Sequence, residues 1–80
     1  METLKIFPYL QRNQPHSRRR LVILRRPDGL FTIADEYHYR TTADDGAVLA
    51  EGWARLPTEG IYDDAASAEH EAETRISALG

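Results

Sequence analysis

Residues 19–33 read Arg-Arg-Leu-Val-Ile-Leu-Arg-Arg-Pro-Asp-Gly-Leu-Phe-Thr-Ile, and this stretch decides the fold. Leu21, Val22, Ile23 and Leu24 lie between charged ends, the pattern of a short strand, and Pro27-Asp28-Gly29 stops it. An Asp-Gly pair between two apolar runs predicts a hairpin, because both residues tolerate positive φ at little cost. On the first strand, expected over residues 19–26, Arg20, Val22, Leu24 and Arg26 share one face, and Arg19, Leu21, Ile23 and Arg25 share the other. Each face carries apolar residues between guanidinium ends, whose stems can cover the margin of a core while the heads reach water.

The return strand starts at Leu30. Phe31, Ile33, Tyr37 and Tyr39 fall on one face, and Thr32, Ala34, Glu36, His38 and Arg40 on the other. Asp35 is a carboxylate on the apolar face, so a bulge or strand end is expected near it. Ala43-Asp44-Asp45-Gly46 reads as a second turn, leading into an apolar run at 47–56 that holds Val48, Leu49, Trp53 and Leu56. Pro57-Thr58-Glu59-Gly60 is a third turn, followed by the short Ile61-Tyr62.

Asp63 and Asp64 open a helix, either being able to cap its first amides. Ala65, Ala68, Ala72, Ile76 and Leu79 then recur at helical spacing, and Gly80 stops the run. Glu71 and Arg75 form a favourable i,i+4 pair, whereas Glu69 and Glu73 repel. Upstream, residues 4–10 are apolar but contain Pro8, which suits an edge strand or an extended arm, and residues 11–17 read as a polar loop. The expected organisation is one domain over residues 1–80: an N-terminal arm or edge strand plus loop at 1–18, an antiparallel meander at 19–62 and a helix at 64–79. That is an α+β fold, a three- to four-stranded antiparallel sheet with one C-terminal helix on one face, in the order β-β-β-α.

Eighty residues bury a small core, and a domain of this size seldom holds more than about 3–5 kcal/mol without a staple or a partner. The chain has no cysteine, so neither a disulfide nor a thiolate metal site is available. Residues 1–8 are too short and polar for a signal peptide, and no apolar run approaches a bilayer span, so a soluble cytoplasmic protein is expected.

Charge is distributed unevenly. Residues 1–40 hold eight basic and four acidic side chains, a net of +4; residues 41–80 hold two and nine, a net of −7. Six of the nine arginines stand in the segment from Arg12 to Arg26. Guanidinium groups bind oxyanions in a fork, so Arg18, Arg19, Arg20, Arg25 and Arg26 are candidates for contact with an acidic partner or a phosphate. The plainer reading pairs them with the acidic helix and turns of the same chain. Trp53 alternates with Glu51 and Arg55 and belongs to a partly polar face, where an exposed indole would anchor a partner.

Catalytic and metal signals are missing. His70-Glu71 begins like a zinc helix motif, but position 74 is Thr and the second ligand is lost. The glycines are scattered turn residues, and the acidic pairs at 44–45 and 63–64 read as caps. No cofactor, metal or small-molecule substrate is inferred.

Gly60-Ile61-Tyr62-Asp63-Asp64 leading from strands into a helix rich in Ala and Glu resembles small bacterial β-β-β-α proteins such as the HicB-type antitoxins, over residues 20–79. The resemblance is one of pattern. Where that family carries Pro-Asp-Leu-Pro-Gly-Cys, this chain has Asp35-Glu36-Tyr37-His38-Tyr39, and no site residue carries over. It implies a non-enzymatic protein partner. The sequence therefore points to a small interaction module that binds a protein or its own copy, with nucleic-acid contact through the basic segment 12–26 as the alternative.

Overall fold

A computed structural model describes residues 1–11 and 18–79. Five strands and one helix follow in order: β1 (Glu2–Leu10), β2 (Arg18–Arg25), β3 (Phe31–Thr42), β4 (Val48–Arg55), β5 (Glu59–Tyr62) and α1 (Ala65–Leu79). The strands form one antiparallel sheet in the order β1-β2-β3-β4, with β5 also paired to β3. The α+β class and the single C-terminal helix agree with the sequence reading. Residues 2–10 join the sheet as an edge strand, one of the two readings given for that segment, and residues 59–62 return to β3 as a fifth strand beyond the three to four expected. Of the polar loop expected at 11–17, residues 12–17 with Arg12 and His16 lie outside the described residues, as does the helix stop expected at Gly80.

Turn chemistry sets the register. At the β2–β3 turn Gly29 has φ +84°, its amide donates to Arg26 O at 3.0 Å, and Asp28 Oδ1 accepts from Leu30 N at 3.0 Å. The β3–β4 turn repeats this chemistry, with Gly46 at φ +88°, its amide bonded to Ala43 O and Asp45 Oδ1 accepting from Ala47 N. Each is a short loop closed by a glycine in the left-handed region. Gly60 (φ +77°) is constrained twice, because a Cβ there would also lie 2.8 Å from the Tyr62 hydroxyl.

The β2–β3 register sets Ile23 against Ile33 and Leu21 against Asp35. On that face Leu21, Ile23 and Ile33 meet Ala68 and Ala72 of α1, with Phe7, Tyr9, Phe31, Tyr62 and Ile76 around them. Alanines bring the helix close to the sheet, and the helix adds little apolar area of its own. Asp64 caps it, its Oδ1 accepting from Ser67 N at 2.7 Å. Arg75 ties α1 to β5 through Glu59 at 2.7 Å and pairs with Glu71 at 3.1 Å. Lys5 reaches Glu69 from β1 at 3.6 Å.

No bulge occurs at Asp35, since β2 and β3 stay in uninterrupted register from Arg19↔Tyr37 to Arg25↔Phe31. The carboxylate stays on the helix face at the margin of the core, where Tyr9 and Arg19 satisfy it. On the opposite face Val22, Leu24 and Ala34 form a second buried cluster. Among the described residues only the sheet's own side chains cover it. Among the described residues no helix is long and apolar enough to cross a membrane.

Ile23 and Ile33 are fully buried at the centre of this arrangement. Ile23→Ala should cost about 2–5 kcal/mol, comparable to the whole stability expected of so small a core. Urea denaturation at 25 °C should then show a chain already largely unfolded in water.

Candidate functional site

The structure divides the candidate residues among three places. Strand phase sends Arg18, Arg20 and Trp53 to the face away from α1, here called the open face, and Arg19 and Arg25 to the helix face; Arg26 sits at the β2–β3 turn.

Most of these arginines already hold carboxylates. Arg19 Nη1 lies 3.3 Å from Asp35 Oδ2, Arg20 Nε 2.6 Å from Glu36 Oε1, Arg25 Nη1 3.8 Å from Glu2 Oε2 and Arg26 Nη2 3.0 Å from Asp28 Oδ2. These partners stand on neighbouring strands and the adjacent turn. Of the pairing with helix and turns that the plainer reading expected, Arg26 shows the turn part, and the other pairs run between strands. Arg18 makes no ion pair among the described residues; its guanidinium lies 5.7 Å from the Trp53 ring centre.

The centre of the open face is Glu36, only 4% exposed. It receives Arg20 Nε at 2.6 Å on one oxygen and Arg55 Nε at 2.8 Å on the other. Trp53 lies beside this pair, its ring centre 4.2 Å from the Arg20 guanidinium and 5.3 Å from His38 in an edge contact. The indole and carboxylate together fix the Arg20 head. Burial works to raise the Glu36 pKa, but the hydrogen bonds and charges of the two arginines outweigh it and hold the carboxyl below its ordinary value.

Beside Trp53 runs a groove of about 250 Å3 lined by Ile6, Pro8, Leu10, Arg18 and Arg20. The chemistry offered is an apolar strip with an aromatic side chain and cationic heads, which suits contact more than reaction. On the other side of the sheet a cleft of about 420 Å3 opens between the end of α1 and β1–β3, floored by Leu21 and Ile33. Within it Tyr9 donates to Asp35 at 2.8 Å, and Arg75 pairs with Glu59 at 2.7 Å. Burial, then the hydrogen bond and charge of Asp35, push the Tyr9 hydroxyl up to about 12.

His38 stands 3.9 Å from Glu51 and forms no triad with a nucleophile, and no three metal-ligating side chains converge among the described residues. Sequence reasoning missed Glu36 and Arg55. Counting outward from the Asp28-Gly29 turn would have found the first, since the pairing that sets Arg25 opposite Phe31 also sets Arg20 opposite Glu36.

Two pH effects follow. The folded-state pKa of Glu36 is depressed, so its contribution is present above about 4.5 and is lost as pH falls through the lower folded value. Glu36→Gln should destabilise by roughly 2 kcal/mol at neutral pH, less than a fully buried pair because the arginines stay partly exposed. In chemical denaturation, the gap to the parent should shrink as pH drops below that point. For Tyr9 the folded value is raised, so its contribution is present below 10 and fades as pH climbs toward 12. Ultraviolet titration should show one of the four tyrosines ionising late, and Tyr9→Phe should remove that step.

No protein-family model matches the chain, and no curated protein or solved structure matches it.

Proposed function

We propose that this chain is a non-enzymatic protein-interaction module whose contact surface is the open face around Trp53 together with the β4 edge beside it. The observation that carries this reading is an apolar strip with no covering element among the described residues, running from Ile6 through Pro8 and Leu10 to Trp53 with Arg18 and Arg20 at its side. An aromatic anchor next to arginine is the composition that dominates binding energy at protein interfaces. The partner offers apolar and acidic side chains, the acids meeting Arg18.

Contact with nucleic acid is less favoured by the same geometry. Arg19, Arg20, Arg25 and Arg26 each lie beside a carboxylate, whose negative charge opposes a phosphate brought to the same guanidinium. The reading also places the module in the cytoplasm, where a small domain holds together without disulfides; fractionation of expressing cells checks this.

Amide spectra of the labelled protein provide the test, in three arms: dilution, acidic-apolar peptides, and pooled short DNA and RNA. Shifts at residues 6–10, 18–20 and 48–55 on dilution or with peptide are expected. Shifts across residues 18–26 with DNA or RNA that collapse as salt rises would instead favour phosphate contact. Silence in the first two arms sinks the module.

A further inference from the structure

The two outer strands differ in how they end the sheet. Among the described residues β1 pairs only with β2, and its edge carries Pro8, Lys5 and a bulge at Leu4. Such features blunt an edge against strand addition. Among the described residues β4 pairs only with β3, contains neither proline nor lysine, and after a register shift at Leu49 keeps uninterrupted register from Ala50 to Arg55. It is an open edge.

One hydrogen bond reveals which backbone groups that edge presents. Leu56 N donates to Asp35 O at 2.9 Å while Arg55 stands opposite Glu36. In an antiparallel ladder bonded and non-bonded pairs alternate, so even-numbered residues of β4 bond inward. Glu51, Trp53 and Arg55 therefore turn their N–H and C=O groups outward.

The outward segment is Glu51-Gly52-Trp53-Ala54-Arg55. It is symmetric in size and antisymmetric in charge about Trp53. Paired antiparallel with a second copy about a two-fold axis through Trp53, it sets each Glu51 opposite Arg55 of the second copy. Small Gly52 meets small Ala54, and every residue meets one from the same face. A register centred on Glu51 would oppose two carboxylates, and one centred on Gly52 would set Glu51 against Trp53. Only the Trp53-centred register matches opposite charges directly.

Both charged groups are available. Glu51 stands across from Arg40 and 3.9 Å from His38 Nε2, with 53% of its side chain exposed. Arg55 uses Nε for Glu36, which leaves its terminal amino groups free to reach the second copy.

The apolar surface fits the same axis. Val48 (46% exposed), Leu49 (66%), Leu56 (38%) and Ile61 (61%) lie along β4 and its continuation into β5. Counted on from Trp53, the register runs Leu49 and Val48 of the second copy past Leu56 toward β5. An isolated two-stranded ribbon is marginal in water, and beyond Tyr37 β3 pairs only with β4 among the described residues.

We propose that the partner at this edge is a second copy of the chain, joined through β4 in antiparallel register centred on Trp53 to give a two-fold dimer with a continuous ten-stranded sheet. The proposal rests on the interaction-module reading and assigns an occupant to its β4 edge, leaving the Arg18 side of the open face to the acidic partner. Both open faces then lie on one side and both helices on the other.

Sedimentation velocity of the full chain from micromolar to millimolar concentration should show a monomer–dimer equilibrium. Glu51→Arg sets like charges opposite each other twice and should weaken it by about tenfold, with Arg55→Glu acting similarly. An equimolar mixture of these two variants should dimerise again. Because Arg55 also holds Glu36 and its replacement could unfold the chain, thiol pairing gives an independent readout. The parent lacks cysteine, so each introduced thiol is unique. On oxidation Trp53→Cys should cross-link to itself, and Glu51→Cys should not. A monomer at every concentration, a dimer indifferent to Glu51→Arg, or self-cross-linking of Glu51→Cys overturns the proposal. If the chain stays monomeric while acidic-apolar peptide still moves open-face amides, only the dimer falls and the module reading stands.

Discussion

The pairing of Ile23 against Ile33 across the Asp28-Gly29 turn is the contact on which the other elements depend. β2 buries side chains on both faces, toward α1 and toward the open face, and the first half of β3 does the same. β1, β4 and β5 each hydrogen-bond to one of these two strands, and α1 lies across them on a stripe led by alanine. A helix of that composition cannot organise a core. It needs a preformed apolar floor to approach, and the hairpin supplies one.

Much of this was legible in the sequence because it is local. The alternation in 19–26, the Asp-Gly turns and the capping aspartate act over a few residues, and each appears where its chemistry predicts. What could not be read is non-local. β5 returns to β3 across nearly thirty residues, held by Thr32 Oγ1 toward the carbonyls of Glu59 and Gly60, and four residues announce no such partner. Pro8 left β1 undecided between arm and strand; as an edge strand it has only β2 to bond among the described residues, so a missing amide does no harm. Asp35 suggested a bulge because a carboxylate among apolar neighbours needs a cause. The cause is the Tyr9 hydroxyl, which strand phase alone cannot bring there.

The candidate site followed the same division. Trp53 was legible as a member of a partly polar face, and it lies on the face away from the helix. The arginine cluster was legible as composition but not as geometry. Consecutive residues of a strand point to opposite sides, so Arg19 and Arg20 serve different faces and different carboxylates. Asp35 and Glu36, already counted in the net +4 of the basic half, pair across strands with that half's own arginines, and the excess charge between the halves remains.

Pro8 and the Leu4 bulge bear on more than the shape of β1. A sheet with two usable edges can add subunits without limit, and the product of strand addition is then a fibre. This sheet has one blunted side. Any pairing through β4 leaves only two β1 edges facing outward, and each refuses the next strand. Should copies join through β4 as proposed, the N-terminal strand would set the stoichiometry and keep the assembly a finite particle.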